Sequence, residues 1–343
     1  MKRIGIACVA TIFVLNLVAL LLIKFLDGPS PYFARLEPSL KTQTMKDYIR
    51  TNGPPTLVTI GSSIADMGFD VLDLEHRLSK KGIQAPGFNF GVNGAGSVVF
   101  RELLSRVIIP LARPKMIIYG TSAIEFNRSS SIFLEDQRKF LASAGLSIVR
   151  EGPTFAAVSK AALFPVLPSY QLGELLWPSA FLEATNTTWL GVRGFKAEFR
   201  GQQRLKGTWG DAMREGWPEW ATVRYKNLLF DYKVSEDSMA TLRDIADLCR
   251  RHDIELVIVN MPVMLRPPEL AGSVFWEIEQ QNGQGAIQAT YEEALRNMVG
   301  ALQVRFLDIG ASNNYPADFF RDPYHLNEKG ATELAREIAS RLF

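Results

Sequence analysis

The 343-residue chain is poor in cysteine, histidine and net charge. Two cysteines cannot form a disulfide scaffold or a cysteine-rich metal site, and Cys8 lies too near the N-terminus to be a lipoprotein cysteine. With 38 Lys+Arg against 36 Asp+Glu, the net charge of +2 lacks the basic excess of a dedicated nucleic-acid binder, so no nucleic-acid partner is expected. His76, His252 and His325 are the three histidines. None stands at metal-ligand spacing, so no metal and no organic cofactor is expected. Repeats and low-complexity tracts are also missing. What the chain does have is a hydrophobic fraction of 47%, enough for a packed core and too much for a disordered or fibrous protein.

Part of that fraction is not core. After Met1-Lys2-Arg3 comes an uncharged 20-residue run, Ile4 to Ile23, closed by Lys24. This is the length a helix needs to cross a bilayer. The preceding positive residues predict a cytoplasmic N-terminus and an extracytoplasmic remainder, periplasmic or at the cell surface. A cleaved signal peptide is the competing reading. Lys24-Phe25-Leu26-Asp27-Gly28-Pro29 offers no small-x-small cleavage site, which favours a retained single-pass anchor over residues 1–26. Residues 27–55, with Pro29, Pro31, Pro38, Gly53, Pro54 and Pro55, read as a juxtamembrane spacer with a short helix.

From residue 56 onward strands and helices alternate. Thr56–Ile60, Gly87–Val92, Lys115–Tyr119, Ile254–Asn260 and Val304–Ile309 are apolar, β-rich runs. Between and after them, Ile64–Lys81, Val98–Ala112, Ser235–His252, Tyr291–Leu302 and Asn327–Leu342 carry helical spacing. The pattern predicts an α/β fold, a three-layer, doubly wound parallel sheet of flavodoxin-like type spanning 56–343. It fails over about 123–234, read as an insertion. This stretch holds Trp177, Trp189, Trp209, Trp217 and Trp220, and from Trp189 to Lys226 it carries eight basic residues, including Arg200, Arg204 and Arg214, against four acidic ones. A sugar platform, a membrane or partner surface and a small core of its own all fit that composition.

In open parallel sheets, functional groups gather beyond the carboxyl ends of the strands. Ser62-Ser63, Gly91-Val-Asn-Gly94, Gly120-Thr-Ser122 and Asp322-Pro-Tyr-His325 all follow strands in the sequence. A serine nucleophile needs a base to take its proton and an acid to orient that base. The three-residue spacing of Asp322 and His325 lets the carboxylate reach Nδ1 while Nε2 faces a serine. The competing role for Ser63 is a helix N-cap, and Ser62 is the better candidate for capping or packing. The order Ser, Asp, His is that of the α/β-hydrolases, but their G-x-S-x-G elbow is absent, since Gly61-Ser62-Ser63-Ile64-Ala65 lacks the second glycine. His76 reads as a solvated helix residue, and His252 lies in a basic stretch near a helix end, where positive charge complements the dipole.

These blocks resemble the SGNH (GDSL-like) hydrolase and acyltransferase superfamily. Gly61-Ser62-Ser63 stands where that superfamily has Gly-Asp-Ser, implying Ser63 as nucleophile. Asn89-Phe-Gly91-Val-Asn-Gly94 is similar to its second block, implying the Gly94 N–H as an oxyanion-hole donor beside the Ser63 N–H. Asp322-Pro-Tyr-His325 is similar to its Asp-x-x-His block. The third block departs from Gly-x-Asn-Asp: Gly120-Thr121-Ser122-Ala123 has a hydroxyl in place of the amide, with Ser122 or Asn127 as substitute donor. One lost donor costs roughly two to three orders of magnitude in rate.

Within the superfamily the chain looks most like the membrane-anchored D-alanyl-lipoteichoic acid biosynthesis and exopolysaccharide O-acetylation proteins. That resemblance implies a serine-dependent O-acyltransferase or esterase acting outside the cytoplasm on a cell-envelope polysaccharide, beside a multi-pass membrane acyltransferase. A binding or assembly subunit with weak chemistry, and a lipid esterase, are the alternatives.

Overall fold

The computed structural model describes residues 36–130, 204–216, 227–264, 286–310 and 315–342, with isolated positions at Val14, Arg200, Gln202 and Val223. Apart from Val14, the apolar run at 4–23 lies outside the described residues, as do 131–199 of the insertion and Trp177, Trp189, Trp217 and Trp220. Among the described residues no helix is long and apolar enough to cross a membrane. The chain divides into two compact units, 1–43 with 138–193, and 44–137 with 194–343. Nearly all described residues belong to the second.

That unit is built on five parallel strands: β1 (Leu57–Ile60), β2 (Gly87–Asn89), β3 (Met116–Thr121), β4 (Glu255–Asn260) and β5 (Arg305–Asp308). Their order across the sheet is β2-β1-β3-β4-β5, a doubly wound arrangement whose order reverses beside β1. Val58 sits between Phe88 and Ile117, and Ile118 beside Val257, so the apolar runs face one another in register. Every residue of β1 and β3 is buried, as helices on both faces require.

The helices, in chain order, are α1 (Leu36–Asn52), α2 (Ser63–Gly68), α3 (Val71–Lys80), α4 (Ser97–Leu103), α5 (Ile109–Ala112), α6 (Trp209–Arg214), α7 (Glu236–Arg251), α8 (Ala286–Leu302) and α9 (Glu328–Leu342). α3 packs on α9, while α7 packs on both α4 and α8, giving the outer layers. A π-helical turn at Leu104–Ile108 joins α4 to α5. It lies just before Pro110, which has no N–H to continue an α-helical ladder.

Three sequence expectations change. The single helix expected over Ile64–Lys81 is two, because Asp70 stops the first and caps the second: its Oδ1 accepts from the Leu72 and Asp73 N–H groups at 3.1 and 3.0 Å. The helix expected from Tyr291 begins at Ala286. Residues 44–52, read as spacer, belong to the α/β unit: Met45 and Tyr48 are buried, and the Tyr48 ring meets Phe88 at 5.8 Å.

The returning end of the insertion forms an arm over this unit. The Arg200 carbonyl accepts from the Asn89 N–H at 2.8 Å, covering the edge strand β2. Gln202 accepts from the Val71 N–H at 3.0 Å, and Arg204 bonds Asp70 at 2.9 Å. Arg200 pairs with Glu75, and Arg214 with Asp211. Three of the basic residues counted in the insertion are therefore neutralised within the fold. Trp209 is fully buried, so it is core and not a platform.

Candidate active site

The nucleophile side begins where β1 ends. Gly61 turns the chain at φ +139°, and a Cβ there would lie 2.3 Å from the Gly120 carbonyl oxygen, so only glycine fits so close to β3. Ser62 occupies the N-cap position of α2, and its carbonyl accepts from the Ala65 and Asp66 N–H groups at 3.0 and 2.9 Å. Its hydroxyl makes no capping bond. It donates instead to Glu125 at 2.6 Å, so of the capping or packing role expected of it Ser62 holds the cap position and the buried setting without the side-chain cap bond. Ser63 is the first residue of α2, not its cap.

The base side is a two-stranded antiparallel hairpin, β6 (Phe320–Asp322) and β7 (His325–Leu326), leading into α9. Asp322 Oδ1 accepts from the backbone N–H groups of Tyr324 and His325 at 3.1 and 2.9 Å, which closes the turn. Its Oδ2 lies 2.7 Å from His325 Nδ1, and His325 Nε2 lies 2.8 Å from Ser63 Oγ. The His325 ring is largely buried, with Tyr324 edge-on at 4.3 Å. Serine, imidazole and carboxylate thus form one unbroken hydrogen-bonded chain, in which a carboxylate on Nδ1 directs the acceptor lone pair of Nε2 toward the hydroxyl. His76 and His252 are exposed on α3 and beyond α7, away from this chain.

The expected oxyanion donors are placed as follows. Gly91 lets the loop after β2 approach α2, since a Cβ there would fall 2.6 Å from the Asp66 Cα. Gly94 lies in this loop at φ +70°. Among the described residues no acceptor takes the N–H of Ser63 or of Gly94. Ser122 is fully buried beyond β3, and its Oγ has no partner among the described residues. Asn127 is not free to substitute. Its amide donates to the Leu228 and Phe230 carbonyls at 2.9 and 3.1 Å and accepts from the Ser129 and Lys233 N–H groups, holding the neck of the insertion where Asn127 bridges Val234.

Sequence reading missed Glu125. It lies in the 3-10 turn Ala123–Phe126 after β3 and is 2% exposed. Burial pushes its carboxyl up to about 7, against the pull of hydrogen bonds from Ser62 and Tyr119. The signal was available: an acidic residue within the otherwise uncharged stretch Ser122-Ala-Ile-Glu125-Phe-Asn127. Among the described residues no group of His, Cys, Asp and Glu could hold a metal ion.

No protein-family model matches the chain, and no curated protein matches it. Among solved structures the chain is similar to TesA at 11% identity and a TM-score of 0.39, covering 83% of this chain and 97% of that one. It is similar to a GDSL-like lipase from Bacteroides thetaiotaomicron at 10% identity and a TM-score of 0.40, covering 88% and 98%. It is also similar to an acetyl xylan esterase at 10% identity and a TM-score of 0.40, covering 84% and 100%.

Proposed function

We propose that the protein is a serine-dependent esterase or O-acyltransferase that carries its acyl group on Ser63. One observation carries the reading, the continuous chain from Ser63 Oγ through His325 to Asp322 at 2.8 and 2.7 Å. Ser63 Oγ attacks an ester carbonyl while His325 Nε2 takes its proton, and Asp322 stabilises the imidazolium. The N–H groups of Ser63 and Gly94 meet the oxyanion, while the Ser122 hydroxyl, fully buried, lies out of a substrate's reach. His325 then protonates the leaving alcohol, and water or an acceptor hydroxyl releases the acyl group by the reverse sequence.

The substrate class is a cell-envelope polysaccharide outside the cytoplasm, with a multi-pass membrane acyltransferase as donor. The support is the 20-residue apolar run after two basic residues, together with the motif resemblance. A second reading, a binding or assembly subunit with weak chemistry, is favoured by the engagement of the Asn127 amide elsewhere and the burial of Ser122, which leave the oxyanion neither of the side-chain donors expected for it.

A fluorophosphonate probe separates the two. Attack by Ser63 Oγ on phosphorus expels fluoride and leaves a stable phosphonyl serine, so the unaltered protein should label at Ser63 and Ser63→Ala should not. Labelling of Ser63→Ala at the unaltered rate would sink the nucleophile assignment, and an unlabelled wild-type protein favours the binding reading.

A further inference from the structure

Glu125 has no place in the reaction chain just described, yet it is tied to the residue next to the nucleophile. Its Oε1 accepts from the Ser62 hydroxyl at 2.6 Å and from the Ser62 N–H at 3.4 Å. The Ser62 carbonyl is meanwhile engaged by the first turn of α2. Every polar group of Ser62 is therefore fixed, and with it both peptide planes that flank the residue. The Ser62–Ser63 plane contains the Ser63 N–H. In a trans peptide that N–H points opposite the carbonyl, hence outward from the start of α2.

We propose that Glu125 is the positioning residue of the nucleophile turn, holding the Ser62–Ser63 peptide so that Ser63 Oγ and Ser63 N–H present together to the reacting carbonyl. This rests on Ser63 being the nucleophile. The role follows from connectivity. Glu125 is carried by the turn that follows β3, the strand paired with β1, so the Glu125–Ser62 bond cross-links the ends of two neighbouring strands at the point where the chemistry is done. Gly61, packed against Gly120 from the same two strands, leaves that turn no slack.

The protonation state of Glu125 gives the proposal a signature. The groups facing its carboxyl are the Ser62 hydroxyl, Thr121 and Tyr119 of β3, and Tyr291 of α8. Burial drives both tyrosine hydroxyls well above their usual range, so they stay neutral. Among the described residues no Lys, Arg or His forms an ion pair or hydrogen bond with the carboxyl, whose bonds come from Ser62 and Tyr119. Below about pH 7 it is a neutral acid that accepts from Ser62 through one oxygen. Above that pH it becomes a carboxylate one residue from the developing oxyanion, which raises the barrier.

The test compares Glu125→Ala, Glu125→Gln and Ser62→Ala with the unaltered full-length protein, using fluorophosphonate labelling of Ser63 and p-nitrophenyl acetate hydrolysis. Glu125→Ala should lose about 100-fold in labelling rate and kcat, the scale of a misplaced reacting group, with KM changed less than about threefold. Glu125→Gln keeps the acceptor oxygen and should recover most of the rate at pH 6. It should also lack the fall in rate that the unaltered protein shows above about pH 7. Ser62→Ala, which deletes the same bond without opening a large cavity, should fall about tenfold, and it keeps the proposal testable if Glu125→Ala does not fold. Labelling of Glu125→Ala or Ser62→Ala at the unaltered rate overturns the proposal, as does an alkaline fall shared by Glu125→Gln. Failure of the underlying reading is a different result, the labelling of Ser63→Ala.

Discussion

The two halves of the candidate site are held in different ways. Ser63 stands at the end of a central strand, on a turn packed against β3, with Ser62 and Glu125 both sealed from solvent. Asp322 and His325 stand on a short hairpin outside the main sheet. That hairpin is fastened by the arm that returns from the insertion: α6 packs on β6, Arg321 pairs with Glu215, and the Glu328 N–H donates to the Leu205 carbonyl at 3.0 Å. The nucleophile half thus inherits its rigidity from the core, and the base half borrows it from a peripheral strap. The difference locates adjustability. Changes in the insertion can reach His325 without disturbing Ser63, whereas a change that moves Ser63 has to deform the sheet.

Breaking the base half at its chemical centre should have the largest effect. Asp322→Asn keeps the Oδ1 that closes the turn on Tyr324 and His325 but turns an amide toward Nδ1. Two donors cannot face one another, so the imidazole takes the other tautomer and presents an N–H to Ser63. The expected loss in the rate of Ser63 labelling is about 10,000-fold with the fold intact, by the precedent of triads altered in this way. A loss under tenfold would show that His325 does not depend on Asp322 for its tautomer.

The core half is better probed through stability, since Glu125 is a buried acid that pairs with no cation among the described residues. A folded value near 7 against an ordinary 4.5 means that below pH 4.5 both states hold the proton. Between 4.5 and 7 only the unfolded chain releases it, so stability falls as pH rises through that window, and above 7 the loss is complete. The difference corresponds to roughly 3 kcal/mol. Glu125→Gln removes this dependence. Its stability relative to the unaltered protein should therefore climb from pH 4 to pH 8, measured as the difference in denaturant unfolding free energies. A flat difference would mean that the carboxyl titrates in the fold at its ordinary value near 4.5.

Much of the sheet is legible because β1, β3 and β4 are short apolar runs whose burial needs no partner to be known. The pairing of Asp322 with His325 is legible because a three-residue spacing brings them together locally. Features that depend on a distant partner are not. Helical periodicity runs through Phe69 and Asp70 without a break, and only the Asp70 carboxylate, also gripped by Arg204, shows that one helix ends and another starts there. Ser62 and Ser63 are alike in sequence, and what separates their tasks is that one hydroxyl meets Glu125 and the other His325. The basic residues of the insertion fit a sugar platform or a membrane or partner surface until Arg200 and Arg204 find Glu75 and Asp70.

The smallest effect, and the sharpest on the comparison, comes from Asn327. Its Oδ1 accepts from the Lys329 and Gly330 N–H groups at 3.0 and 3.1 Å, capping α9, while its Nδ2 donates to the carbonyls of Gly207 in the arm and Asp318, both at 2.8 Å. Asn327→Asp keeps the cap, for which aspartate is as good as asparagine. It replaces the donor with an oxygen facing two carbonyl oxygens, so it cuts one tie between hairpin and arm and leaves the Arg321–Glu215 and Glu328–Leu205 ties in place. The cost should be about 2 kcal/mol in unfolding free energy. Because His325 lies two residues upstream, the rate of Ser63 labelling should fall about tenfold, equivalent to about 1.4 kcal/mol on the barrier. Asn327→Ala removes cap and tie together and should cost about 1 kcal/mol more in stability with no further loss of rate. If Asn327→Asp instead labels at the unaltered rate, the position of His325 does not depend on the Asn327 tie, and the Arg321–Glu215 and Glu328–Leu205 ties are enough to hold the hairpin.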